Sequence, residues 1–155
     1  DPPMHEFLPN HDELLEEVVQ ESRDAHPQLD IRSDIKLGCA VLCDAGRLQQ
    51  VVSNLLGNAI TYGAPDKPIT IEAREHEGVA SLVVRNWGEP IEPGKVARVF
   101  NAYARQNEAN KDTSMGLGLH ICQLIAKAHG GELTAKSDSE FGTRFEMSWP
   151  SGCTE

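Results

Sequence analysis

Two asparagines four residues apart, Asn54 and Asn58, interrupt an otherwise apolar run, RLQQVVSNLLGNAITYG, from Arg47 to Gly63. On a helix, positions i and i+4 project from the same side. An amide buried there without partners costs about 1–3 kcal/mol, so the spacing calls for a ligand, an ion or a polar network that meets both groups. An amide oxygen at Asn58 suits a hard cation such as Mg2+, which keeps several waters and bridges phosphate oxygens. The alternative is an amide pair bonded only to neighbouring backbone. Further along, SMGLGL at Ser114–Leu119 opens a second apolar stretch, and a glycine-rich entry to a helix N-terminus is a place for an anion. Arg105 and Lys111 in the polar run before it are either phosphate-reaching bases or solvated side chains.

The elements that position these residues follow from periodicity. Asn10 or Asp12 caps a helix running to about Asp24, with Leu14, Leu15, Val18 and Val19 as its apolar stripe, and His26-Pro27 ends it. Leu29–Ile31 and Cys39–Leu42 read as strands, and Asp44 caps the asparagine helix, which stops at Gly63 and Pro65. Ile69, Ile71 and Ala73 alternate with polar neighbours and form a hairpin with Val79–Val84 about a turn at His76–Gly78. The run from Ala104 to Met115 has almost no apolar residue and reads as a mobile loop. A helix over Leu117–His129 ends at Gly130-Gly131, and strands at Glu132–Ser137 and Thr143–Trp149 flank a turn at Ser139–Gly142. Helices alternating with hairpin-joined strands predict an α/β (α+β) two-layer sandwich, a mixed, largely antiparallel sheet covered on one face by about three helices.

A length of 155 residues with 39% hydrophobic content predicts one domain, 1–155, with a lead-in at 1–9 and a tail at 151–155. A formal net charge of −10 argues against a nucleic-acid or membrane-surface binder. No apolar run reaches membrane-span length and no signal segment precedes the first helix, so a soluble, cytoplasmic domain without direct membrane contact is expected. Cys39, Cys43, Cys122 and Cys153 lack metal-ligand spacing and read as core or tail thiols. His5-Glu6 is not read as a phosphoacceptor pattern, because Phe7-Leu8-Pro9 suits a strand leading to a cap.

The asparagine run, RNWGEPI at Arg85–Ile91, VFNAY at Val99–Tyr103, SMGLGL and FGTRF at Phe141–Phe145 together resemble, in order, the boxes of the ATP-binding catalytic domain of bacterial sensor histidine kinases, the Bergerat-type fold. The resemblance covers the chain from about Phe7 to Pro150. It implies that Mg-ATP is bound and its γ-phosphoryl group passed to a histidine on a separate dimerisation domain, with a response regulator downstream and the fragment itself monomeric. Asn58 takes the magnesium-ligand position and Asn54 lines the phosphates. Gyrase-type and mismatch-repair hydrolases carry a glutamate at the place of Asn54 as general base; an asparagine cannot take that proton, which favours phosphoryl donation over hydrolysis.

The resemblance also implies a nucleotide-binding set of Tyr62, Asn86, Gly88, Ile91, Lys111, Gly116, Leu117, Gly118, Leu119 and Thr143, with Arg105 in a catalytic role. Phe100 and Tyr103 anchor the loop at 104–115 as an ATP lid. Trp87 reads as a core aromatic. The chain departs from the pattern at Asn86, where the family has an adenine-reading aspartate, at Pro90 for a glycine, at Thr61 for a basic residue and at Ser114 for a glycine. A similar Asn-x-Gly-x-Pro-Ile variant is seen in phytochrome-type kinases. The other reading these departures leave open is a degenerate kinase-like regulatory module that works by protein contacts.

Overall fold

The computed structural model describes residues 11–38, 41–92 and 112–152, with the backbone alone for 112–116. Helix α1 spans His11–Ala25, strand β1 Ile31–Lys36, helix α2 Ala45–Tyr62, strands β2 Ile69–His76 and β3 Val79–Asn86, helix α3 Asp112–Ala128, and strands β4 Glu132–Asp138 and β5 Gly142–Pro150. The sheet order is β1-β2-β3-β5-β4, with β1 and β2 parallel and every other pair antiparallel. Helix α2 makes the crossover between the parallel strands, as such a pair requires. The three helices cover one face, which is the two-layer sandwich expected.

Local chemistry explains why α2 lies where it does. Asp44 accepts a hydrogen bond from Arg47 N at 3.1 Å as N-cap, and Gly63 N returns to Ala59 O at 2.8 Å as the helix ends. Between the caps, Leu48, Val51, Val52, Leu55, Leu56 and Ala59 are buried at alternating steps of three and one, a stripe broad enough to pack on the sheet and on both flanking helices. The β2–β3 hairpin turns through Glu77 and Gly78, at φ of 50° and 84°, the two left-handed residues that a two-residue turn of this hand needs. The β4–β5 turn is closed by Asp138, whose carboxylate accepts from Glu140 N at 2.9 Å and Phe141 N at 2.6 Å.

Four expectations are corrected. The first strand is Ile31–Lys36, not Leu29–Ile31. Its inward positions are Ile31, Ser33 and Ile35, and the serine hides the apolar alternation because α1 satisfies it: Arg23 donates to the Ser33 hydroxyl at 2.9 Å and that hydroxyl donates to Glu16 at 2.8 Å. No strand forms at 41–42, where Leu42 N instead donates to Ser151 O at 2.7 Å; 39–40 lie outside the described residues. Asp12 does not cap its own helix. Its carboxylate lies in the first turn of α1 and accepts from Leu37 N at 2.8 Å and Gly38 N at 3.1 Å, tying α1 to the end of β1; Asn10 lies outside the described residues. Helix α3 begins at Asp112, five residues before the apolar spacing starts, so 112–115 are helix and not loop.

On the helix-facing side, β3, β5 and β4 present successive rungs: Leu82–Met147–Leu133, then Val84–Phe145–Ala135, then Asn86–Thr143–Ser137. The apolar rungs make the core under α2 and α3. The last rung is polar, with Asn86 and Thr143 both buried.

Candidate functional site

The site runs along α2 from Asn54 to Gly63. At one end a cavity of about 400 Å³ lies between α2 and α3, lined by Asn54, Asn58 and Thr61 from α2 and Leu117, Gly118 and Ile121 from α3. Asn54 Nδ2 donates to Gly118 O at 3.4 Å, a long bond that joins the two helices across this cavity. Asn58 Nδ2 is buried and has no hydrogen-bond partner among the described residues. A polar atom left in that state costs about 1–3 kcal/mol.

Among the described residues no group of three or more His, Cys, Asp or Glu is placed to hold a metal. The donor set at this cavity therefore suits a cation that arrives with phosphate oxygens and waters and takes one amide oxygen from the protein, the usual habit of Mg2+. Burial pushes the Cys122 thiol up to about 11, against the opposing effect of its hydrogen bond with Asn54, and burial with the Asp44 charge holds Cys43 at about 11. Both are protonated and inert at neutral pH.

The glycines Gly116 and Gly118 fall inside the first two turns of α3, not in a loop before it, at about 1 kcal/mol each relative to alanine. The free helix N-terminus expected at 116–119 is accordingly several residues upstream. A Cβ on Gly118 would meet only Asn54 Cγ, at 3.9 Å, so the α2–α3 approach does not itself demand a glycine there. Leu119 is buried in the core and Leu117 is exposed; of the pair, Leu117 lines the cavity. Arg105, Lys111, Phe100 and Tyr103 lie outside the described residues, as do 104–111 of the expected lid.

At the other end, the C-terminus of α2 meets the exit of β3. Gly63 and Gly88 form an isolated bridge, and Ala64 N donates to Trp87 O. A Cβ on Gly63 would stand 2.5 Å from Ala59 O, and one on Gly88 would collide with the Tyr62 carbonyl oxygen. Both glycines are needed for this approach. Asn86 is 7% exposed and Thr143 5%, side by side in register. Tyr62, half-buried at the end of α2, packs against the apolar core. Ile91 N donates to Ser137 Oγ at 2.8 Å, and Ser137 Oγ lies 2.7 Å from Thr143 Oγ1. Trp87 is a half-buried rim residue rather than core: its ring lies over Gly142, 3.2 Å from where a Cβ would be, and Gly142 at φ 80° suits only glycine.

Of the residues that sequence reasoning assembled, the fold brings Asn54, Asn58, Leu117 and Gly118 to one cavity and sets Asn86 beside Thr143, with Gly88 bridged to Gly63, at the C-terminal end of α2. That reasoning missed Ser137, whose signal was present: counting on in twos from Leu133 and Ala135 puts a serine on the inward face. It also missed His129, whose Nε2 accepts from Asp44 N at 3.1 Å while Nδ1–H donates to Ile125 O at 2.8 Å. That imidazole ties the C-terminus of α3 to the N-terminus of α2.

Residues 43–152 match the family described as histidine kinase-, DNA gyrase B- and HSP90-like ATPases. Over 114 residues the chain is 34% identical to SilS, a probable sensor kinase of Salmonella typhimurium, taking in 72% of this chain and 23% of that protein. Over 109 residues it is 34% identical to the sensor protein SrrB of Staphylococcus aureus, with 69% and 19% covered. The chain thus spans about a fifth of these relatives' length. The catalytic domain of the histidine kinase ThkA superposes with a TM-score of 0.76 at 28% identity, over 92% of this chain and 95% of that one. Full-length ShkA in complex with AMPPNP gives a TM-score of 0.76 at 26% identity, over 92% and 30%. On the order of its motifs, its fold and these likenesses, the chain belongs to the histidine kinase-, DNA gyrase B- and HSP90-like ATPase family, as an ATP-binding catalytic domain of the sensor-histidine-kinase kind.

Proposed function

We propose that this domain binds Mg-ATP along the α2 edge and presents the γ-phosphoryl group to a histidine on a dimerisation domain outside this chain, feeding a response regulator from the cytoplasm. The observation that carries the reading is the α2–α3 cavity, which Asn54 and Asn58 line from one helix and Leu117 and Gly118 from the other. Asn58 Oδ1 would hold the ion and Asn54 would line the phosphates. When bound, Mg2+ neutralises charge on the phosphate oxygens and fixes their geometry. The chain's own residues orient: the Asn86–Thr143–Ser137 rung takes the base, Tyr62 flanks it, and Arg105 and Lys111 are the local cations for phosphate in a chain of net charge −10. Asn54 has no basic lone pair to activate water, so the site holds ATP for another nucleophile. Catalysis is then positioning and charge neutralisation.

No helix among the described residues is long and apolar enough to cross a membrane. Isothermal titration with ATP, with and without Mg2+, tests the proposal. Saturable binding that Mg2+ strengthens is expected. No binding at millimolar nucleotide would favour the regulatory-module reading, and steady phosphate release by the isolated domain would favour a hydrolase.

A further inference from the structure

We infer that this site accepts 6-oxopurine triphosphates of the inosine and guanine type alongside ATP, an inference that rests on the nucleotide-site reading above. On that reading the base meets three adjacent polar side chains, on three strands whose other helix-facing positions are apolar: Asn86 on β3, Thr143 on β5 and Ser137 on β4, in direct register. All three can donate or accept.

Ile91 N–H can only donate, so Ser137 Oγ accepts it, at 2.8 Å. One proton then lies in the 2.7 Å contact between Ser137 Oγ and Thr143 Oγ1. If Ser137 supplies it, the Thr143 hydroxyl proton is free to donate toward a ligand. If Thr143 supplies it, Ser137 accepts twice and Thr143 keeps lone pairs to accept with. Each arrangement leaves one hydroxyl proton over, that of Thr143 in the first and that of Ser137 in the second, so a ligand selects between them and sets the outward polarity of Thr143.

Asn86 has the same freedom. Its amide carries an acceptor and donors of nearly equal size, and rotating it by half a turn exchanges them with little change of shape. A 6-aminopurine offers a donor at the amino group and an acceptor at N1; a 6-oxopurine offers the reverse. A carboxylate at position 86 would be acceptor-only and would face the 6-oxo oxygen lone pair to lone pair. The rung of Asn86, Thr143 and Ser137 meets either edge. Gly63 helps: a Cβ there would stand 3.3 Å from Asn86 Cβ and 3.5 Å from Nδ2, and its absence leaves the amide clear on that side.

The test is the affinity of the folded domain for ATP and for inosine triphosphate, which differ only at this edge, by calorimetric titration with Mg2+. A ratio of dissociation constants below about tenfold is expected for the wild type, and in Asn86→Asp the preference for ATP should widen by at least about tenfold. A wild-type preference above tenfold with ATP binding intact overturns the inference, as does an unchanged ratio in a folded Asn86→Asp domain. If that variant fails to fold, the wild-type ratio decides alone. Absence of binding by both nucleotides overturns the nucleotide-site reading itself.

Discussion

Replacing Asn58 with leucine separates the two consequences of its unpartnered amide. Leucine is of similar size and has no polar atom, so the variant removes a buried donor with no partner among the described residues. Such a donor costs about 1–3 kcal/mol, and because the residue as a whole is only half-buried, the lower end applies. A gain of about 1 kcal/mol raises the melting temperature of a domain of this size by roughly 2–4 °C. The same change deletes the amide oxygen that would hold Mg2+, so Mg-ATP affinity should fall by at least about tenfold, or about 1.4 kcal/mol. Differential scanning calorimetry of the free domain and titration with Mg-ATP read the two effects separately. A stability gain with a binding loss is the signature of a group retained for its ligand. A lower melting temperature, or undiminished Mg-ATP affinity, would refute the reasoning.

Three further outcomes are expected. Gly63→Ala puts a Cβ 2.5 Å from Ala59 O and should destabilise the fold by about 1–3 kcal/mol in urea unfolding, while weakening nucleotide binding by parting α2 from Asn86. His129→Phe keeps a ring beside Trp149, whose centroid lies 6.2 Å away, but removes the acceptor for Asp44 N, and should cost about 1 kcal/mol, seen in the same denaturation. Finally, Cys43 and Cys122 bind protons more tightly in the fold, at about 11 against an ordinary 9.0. Their contribution is complete below about pH 9 and is lost as pH rises through about 11, so the melting temperature should fall across that window, and substituting both residues with serine should flatten the fall.

Much of this was legible in the sequence because it is local. Asp44 as a cap, the apolar stripe from Leu48 to Ala59, the hairpin at Glu77-Gly78 and the end of α3 at Gly130 each depend on residues within a turn or two. Where reading failed, a distant partner had changed the meaning of a local signal. Ser33 breaks the alternation of β1 until Glu16 and Arg23 of α1 are brought to it, and Asp12 reads as a cap until the end of β1 takes its carboxylate. The start of α3 at Asp112 was missed because polar residues give no periodic stripe to count.

Spacing alone determined that Asn54 and Asn58 share a helix face; that Asn86, Gly88 and Thr143 belong to one set of motifs, and that Asn54 replaces the general base of related hydrolases, followed from the resemblance of those motifs in order. Tertiary structure alone decided what meets them. The amide of Asn58 is seen to face the α2–α3 cavity only once α3 stands opposite, the Thr143 hydroxyl gains Ser137 only through the register of β4 on β5, and His129 reaches Asp44 across 85 positions of sequence. The physical reason is that a helix face repeats along the chain, whereas a cross-strand rung or a helix-to-helix contact is a neighbour relation between segments far apart in sequence, settled by how whole elements pack.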